Sequence, residues 1–381
     1  MSANPDRTMP FVIREDGDTR IVLGPGSIGR LRGLLAEIGR HRVFLVAGRS
    51  VSAGKVGARV RSVLGDALVG SFSDARSHVP VATAEKTATA ADAVRSDVLL
   101  GLGGGSPIGT AKAAAALLLS KVSDSSGPKV VVAAIPTTYA GSEVTPVYGT
   151  TDLAQGRKSV AKNVAVRPRL ALYDPELAIE TPPELTASTG VNALAHCVEA
   201  LYSTRDADAE HPMALRAAER IITHLPKAHA EPTNLYERYK LFEGSMEAGL
   251  VLAHVGMGVH HGLCHVLGGR FNAPHGDLNA IILPHAMRFN IPVAMDAYRE
   301  LAPILHVAAS DDSALTGEAV CRATSDFIRH LGLRQRLRDL GIPRADLPRI
   351  AEVALQSASV RHNPRPVENA GQLLGILEAA W

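Results

Sequence analysis

The chain reads as an α/β domain built on a parallel sheet, followed by an all-α domain. Three observations carry that expectation. Apolar runs of strand length recur through the first 180 or so residues, amphipathic helical stretches separate them, and helical periodicity is nearly continuous afterwards. In order, RVFLVAG (42–48), DVLLGLG (97–103), KVVVAAIPTT (129–138) and RLALYDP (169–175) are apolar throughout rather than alternating, as strands covered on both faces are. SIGRLRGLLAEIG (27–39) and ATAEKTATAADAVR (82–95) supply helices between them. After TPPELTASTG (181–190) the stretches GVNALAHCVEALYS, HPMALRAAERIITHLP, LYERYKLFEGSMEAGLVLAHVGMGVHHGLCHVLGG, GEAVCRATSDFIRHLGLRQRLRDLG and LPRIAEVALQSASV keep apolar faces punctuated by Pro or Gly. The Pro182-Pro183 pair marks the boundary, giving domains 1–182 and 183–381.

With 381 residues, 46% hydrophobic and 20% charged, the chain has the composition of a two-domain soluble protein. Forty basic and 38 acidic residues leave a formal charge of +2, so no net field recruits nucleic acid or an anionic membrane, and an anionic ligand requires a local cluster. Cys197, Cys264 and Cys321 lack CxxC spacing, which indicates neither a disulfide framework nor a cysteine zinc site and favours a reducing cytoplasm. No apolar run reaches membrane-spanning length, and MSANPDRTMP has no apolar signal core.

Two regions carry chemistry. In DVLLGLGGGSPIGTAKAAAALL a buried strand meets a helix through Gly103, Gly104, Gly105 and Ser106. Glycines let backbone N–H groups approach a phosphate, and a helix N-terminus adds positive potential, so a pyrophosphate suits this turn. Pro107 fits a first helical turn. The spacing Gly101-x-Gly103-x-x-Ser106 is not a full GxGxxG; a purely structural turn is the alternative. PTTYAGSEVT (136–145) brings the hydroxyls of Thr137, Thr138 and Ser142 to the same sheet edge, which favours a dinucleotide. At the end of the first apolar strand, VAGRS places Gly48 and Arg49 where a carboxylate commonly holds the adenine ribose 2′-hydroxyl. With no acid in that run, NADPH is expected to serve alongside NADH.

The second region is VHHGLCHVLGGRFNAPHGDLNAIILPHA (259–286) together with an earlier helix. Asn192 and His196 are four apart and share a helical face, as do His261 and His265, and His275 follows the FNAP turn. Imidazoles gathered in apolar surroundings either hold a divalent cation or donate protons to a developing oxyanion. His254, seven residues before His261, lies on roughly the same stripe and is a candidate for substrate contact, with a packed or surface histidine as the alternative. His260, His285 and His211 read as structural, and Cys264 falls on another helix face. Tyr139 and Tyr148 flank the hydroxyl loop as either ligand contacts or packed strand-end residues.

GGGSPIGTAK, the PTT-to-GSE loop, YDPEL, the NALAH helix and HGLCHVLGG-FNAPHG-NAIILPH together resemble the iron-containing alcohol dehydrogenase superfamily over nearly the whole chain. Within it, PTTYAGSEVTPVYG, NALAHCVEALY, GVHHGLCHVLGGRFN and HNPRPV are most similar to the maleylacetate reductases. The resemblance implies an N-terminal nucleotide-binding domain, a helical C-terminal domain, a homodimer, and Lys158 beside the nucleotide. It puts the metal-ligand positions at Asn192, His196, His261 and His275, for iron or zinc, with His265 lining the substrate site. Asn192 departs from the pattern, which has aspartate there; an amide oxygen is the poorer ligand, so three neutral imidazoles would carry most of any metal affinity. The PTT loop is one residue shorter than in the alcohol dehydrogenases, and PHGDLNA is closer to the metal-dependent branch than to the PHAETH usual in maleylacetate reductases.

For maleylacetate, hydride addition at the alkene carbon distal to the ketone makes an enolate, which His261, His265 or a metal would stabilise before protonation gives 3-oxoadipate. Two substrate carboxylates ask for cations; Arg270 and Arg365 are the nearest candidates, a solvated surface arginine being the alternative for each. Three rival readings stay open: a metal-dependent alcohol or aldehyde dehydrogenase, a dehydroquinate-synthase-like lyase with transient use of NAD, and a catalytically silent nucleotide-binding protein.

Overall fold

A computed structural model describes residues 8–121, 130–152, 157–203 and 209–381. Its strands are β1 (Val12–Asp16), β2 (Thr19–Leu23), β3 (Val43–Ala47), β4 (Leu68–Phe72), β5 (Val98–Gly103), β6 (Val131–Pro136), β7 (Val147–Asp152), β8 (Arg157–Lys162) and β9 (Leu170–Tyr173). Seven form one sheet in the order β1-β2-β9-β6-β5-β3-β4, while β7 and β8 pair separately as an antiparallel hairpin. Only the β1–β2 pair in the large sheet is antiparallel. The four apolar runs read from the sequence are therefore β3, β5, β6 and β9, four neighbouring parallel strands at the centre.

Their burial on both faces is visible in how alternate residues part company. Val43, Leu45, Val98, Leu100, Leu102, Ala133 and Ile135 join a core with Leu31, Leu34 and Val60 on one side. Phe44, Val46, Leu99 and Val132 join Ala88, Ala91, Ala111 and Ala114 on the other. The alanines let the helices Val81–Ala93 and Gly105–Lys121 lie close to the sheet.

The chain divides into two compact units, one comprising residues up to Thr181 together with Glu231–Phe242, the other Pro182–Ala230 and Glu243–Trp381. The break at 181/182 lies one residue before the expected 182/183 boundary, and twelve residues from the helical half are assigned to the sheet unit. Their side chains explain it: Arg238 is fully buried and donates to Pro232 O (3.0 Å), Tyr139 Oη (3.0 Å) and Thr181 O (3.2 Å). Phe242 packs on the rings of Tyr139 and Tyr173, and Tyr239 Oη donates to Pro10 O.

The second unit is helical. The long run 235–269 is not one helix: it breaks after Leu235–His254 and resumes as Val259–Phe271 at 96° to the first. Gly258 sits at the restart, where a Cβ would lie 2.6 Å from Asn363 Oδ1 and 3.0 Å from Glu199 Oε1, so only glycine allows this approach. Val259, Leu263 and Leu267 then pack with Leu278, Ile281 and Ile282 of the helix His275–Asn290, and with Ile350, Leu373 and Leu377. Among the described residues no single helix is long and apolar enough to cross a membrane.

Candidate active site

In the sheet unit β5 ends at Gly103 with φ +127°, and the helix begins already at Gly105, so Gly104 is the turn. A Cβ on Gly104 would lie 3.0 Å from Thr138 Oγ1. That hydroxyl is buried and without a hydrogen-bond partner, beside the glycine turn. A phosphate oxygen would supply the missing acceptor, and a bare backbone leaves room for it to come close. Thr137 N–H donates to Gly103 O (2.9 Å), and Thr181 Oγ1 donates to Thr137 O (2.6 Å), which pins the end of β6 to the turn.

Ser142 has an additional partner that the sequence does not announce. Lys112, fully buried on the helix after the turn, donates through Nζ to Ser142 O (2.5 Å), Ser142 Oγ (3.3 Å), Thr145 Oγ1 (3.2 Å) and Val147 O (3.0 Å). The ammonium thereby fixes the loop leading from β6 to β7. Burial pushes Lys112 down to about 7, against the opposing pull of Glu143, whose own carboxyl burial pushes up to about 7. Lys158 lies on the β7–β8 hairpin, its side chain crossing Gly149. Tyr139 is a packed residue with its hydroxyl on Arg238.

In the helical unit the four predicted imidazoles meet. His196, from the helix Pro183–Leu201, stacks on His261 with centroids 4.8 Å apart and planes at 20°. His261 is 6.0 Å from His265 and 6.2 Å from His275, and His265 stacks on His275 at 5.7 Å and 13°. Asn192 is buried one turn before His196. His196 and His261 are almost fully buried, whereas His265 and His275 are half-exposed. One ring pair is therefore shielded from solvent and the other is partly open to it.

Two residues behind the rings were not among the candidates. Glu199, fully buried, accepts at Oε1 from Gly258 N–H (3.0 Å) and His260 N–H (3.1 Å), closing the N-terminus of the helix that carries His261. Its Oε2 accepts from His261 Nδ1 at 2.5 Å. His260 donates from Nε2 to Asn279 O (3.0 Å), and its Nδ1 lies 3.1 Å from His261 Nδ1. These contacts place protons: the Asn279 carbonyl only accepts, so His260 carries a proton on Nε2, while the carboxylate keeps one on His261 Nδ1. Burial alone would raise Glu199, but the His261 charge and the histidine hydrogen bonds hold it well below the usual carboxylate range. Burial, then the neighbouring His261 charge, pushes His196 well below the usual histidine value. Of the stacked pair, His261 is thus the ring with a countercharge and His196 the neutral one. The signal for Glu199 was present: Asn192, His196 and Glu199 follow i, i+4, i+7 on one helix.

Three candidates for substrate contact lie elsewhere. His254 Nδ1 pairs with Glu210 Oε1 at 3.2 Å, and the 96° break removes the shared stripe with His261 that continuous helix would give. Arg270 Nη2 donates to Asp346 Oδ1 at 3.2 Å; it follows His261 by nine residues, about two and a half turns, so it leaves the opposite side of the helix. Arg365 donates to Phe289 O (2.6 Å) and stacks over the Phe289 ring at 4.3 Å, closing the end of the helix His275–Asn290.

Residues 18–175 match the family description "Iron-containing alcohol dehydrogenase", and residues 186–381 match "Fe-containing alcohol dehydrogenase family, C-terminal". The chain is 36% identical over 349 residues to a maleylacetate reductase of Burkholderia cepacia, covering 92% of each. It is 34% identical over 376 residues to maleylacetate reductase 1 of Rhodococcus opacus, covering 99% of this chain and 98% of that one. The crystal structure of maleylacetate reductase from Agrobacterium tumefaciens superposes with a TM-score of 0.81 at 31% identity, over 98% of this chain and 99% of that one.

Proposed function

The chain belongs to the iron-containing alcohol dehydrogenase family, and from that premise we propose that it uses NADH or NADPH to reduce the carbon–carbon double bond of maleylacetate, giving 3-oxoadipate. The observation that carries this reading is the cluster His196, His261, His265 and His275 with Glu199 behind it and an amide, Asn192, in place of a carboxylate ligand. The named reductases of the same length support the substrate.

The donor set does not suit a tightly held iron or zinc ion. Ligand nitrogens about 2.1 Å from one ion lie within roughly 3.5 Å of each other. Among the described residues the one group of three histidine, cysteine or carboxylate ligand atoms within 4.8 Å of one another is Glu199, His260 and His261, not the trio His196, His261 and His275. Glu199 and His260 are already engaged by the helix N-terminus, His261 and the Asn279 carbonyl. On this reading the chemistry is assigned to the imidazoles themselves.

A dinucleotide suits the turn at Gly104, where Thr138 Oγ1 awaits a partner and a Cβ would fill the cradle. When bound, it supplies the hydride. The substrate then holds an enolate on its ketone oxygen, and one proton on the neighbouring carbon completes the product, with only the π bond lost. Glu199 keeps the His261 Nδ1 proton in place and supplies the countercharge for a second proton at Nε2, the atom that delivers it. His196 stays neutral against that ring. His265 and His275, stacked and half-exposed, border the enolate. An enolate is less basic than the alkoxide of carbonyl reduction, so imidazole donors are sufficient.

NADH and NADPH oxidation, followed with freshly generated maleylacetate beside simple aldehydes, tests the reading. Turnover of maleylacetate alone is expected; turnover of aldehydes alone, dependent on added metal, would replace it with the alcohol dehydrogenase reading. A homodimer, implied by the resemblance, is checked by mass in solution.

A further inference from the structure

Beside the glycine turn, structure supplies a carboxylate that the strand-end sequence VAGRS lacks. β3 pairs with β5 in the register Ala47 with Leu102, so Gly48 and Arg49 leave the sheet next to Gly103. A Cβ on Gly103 would lie 3.8 Å from Val51 Cγ2, which places the segment after β3 against the turn. The segment after β4 folds over the same edge, since Ala75 N–H donates to Ala47 O at 3.1 Å. Asp74 and Arg76 on that segment meet Arg49. Asp74 Oδ1 accepts from Arg49 Nε (2.7 Å), and Oδ2 accepts from Arg76 Nε (3.1 Å) and Nη2 (2.8 Å).

In open parallel sheets the adenine ribose of a dinucleotide lies at the end of the strand next to the one carrying the glycine turn, where β3 ends here. A carboxylate at that place ordinarily binds the 2′-hydroxyl and repels a 2′-phosphate. Here both of its oxygens are taken by guanidinium groups, and one anion between two cations leaves a surplus of positive charge. The arginine side chains are 77% and 59% exposed, and the contacts leave both Nη groups of Arg49 and Nη1 of Arg76 available as donors. The Arg76 hydrogen bond comes first in holding Asp74 below its ordinary value, so the carboxylate stays charged and keeps the two arginines in place.

We propose that Arg49 and Arg76, positioned by Asp74, form a binding site for the 2′-phosphate of NADPH. This goes beyond mere tolerance of NADPH, since it assigns the phosphate to named donors, and it rests on the reading that the Gly104 turn holds a dinucleotide. Phosphate takes two charge-assisted donors from guanidinium groups more readily than from water-exposed amides. Asp74 orders the pair but also competes with the ligand for it.

The test measures binding of 2′,5′-ADP and of 5′-ADP to the full chain by calorimetry, at constant ionic strength, without turnover. Wild type is expected to bind 2′,5′-ADP more tightly than 5′-ADP. The Arg49→Ala/Arg76→Ala double variant should lose roughly tenfold or more for 2′,5′-ADP and change less than about twofold for 5′-ADP, the scale of an exposed contact. Wild-type preference for 5′-ADP, or equal loss of both ligands in the double variant, overturns the phosphate site while leaving the dinucleotide reading intact. Failure of wild type to bind either ligand overturns both together. Failure to turn over maleylacetate, with the arginine dependence present, sinks the substrate and not this site.

Discussion

The two units build their candidate sites from opposite materials. In the sheet unit the cradle is mostly absence: a bare backbone at Gly104, a hydroxyl without a partner on Thr138, and a buried ammonium, Lys112, holding the loop in place. In the helical unit the site is side chains, four imidazoles from three helices with one carboxylate behind them. The first arrangement fails when something is added and the second when something is removed. That asymmetry makes the comparison testable.

The largest effect belongs to the helical unit. His261→Ala should lower kcat with maleylacetate by about 100- to 10,000-fold, the scale of a lost general acid, with the nucleotide KM little changed. Glu199→Gln keeps an acceptor for the helix N-terminus but removes the countercharge; a fall in kcat of about 100-fold is expected, smaller than that of His261→Ala. If Glu199→Gln leaves kcat and its pH profile unaltered, Glu199 is only a helix cap.

Gly104→Ala and Gly105→Ala sharpen the other side. A Cβ on Gly104 crowds Thr138 Oγ1 in the protein itself, whereas one on Gly105 meets only Ala140 Cβ at an ordinary 3.8 Å. The first variant should lower Tm and raise the nucleotide KM by about tenfold. The second should raise KM with Tm unchanged, because its new methyl points at ligand space. Unchanged KM in both would remove the turn from the nucleotide site.

A smaller effect separates the units by pH. Burial raises Glu143 to about 7, above its unfolded value, so its contribution to stability is present at low pH and lost as pH rises from the ordinary carboxylate value to about 7. Thermal melts between pH 4.5 and 7 should show that slope, and Glu143→Gln should flatten it. Smallest are Arg270→Ala and Arg365→Ala: with Arg270 on Asp346 and Arg365 on Phe289, KM for the diacid should stay within about twofold, and Arg365→Ala should cost about 1 kcal/mol of stability from its lost cap and ring contact.

What could be read from the sequence follows the same division. The central strands declared themselves because residues such as Val43 to Ala47 are apolar on both faces, and the glycine turn because few other residues tolerate such a backbone. The histidines were legible through helical spacing. Glu199 shares that spacing but was passed over, since a glutamate on a helix is usually solvated and its partner lies 62 residues away. Arg270 and His254 were misplaced for geometric reasons, half a helical turn in one case and a bend at Gly258 in the other. Asp74 escaped because it reaches the end of β3 from β4, a neighbour set by sheet order and not by sequence.

The most direct test of the histidine account is the rate of NADH oxidation with maleylacetate by protein stripped of metal with a strong chelator, beside His261→Ala treated alike. Full activity in the stripped wild type and a loss of at least about 100-fold in the variant are predicted. Activity abolished by stripping and restored by iron or zinc would contradict it.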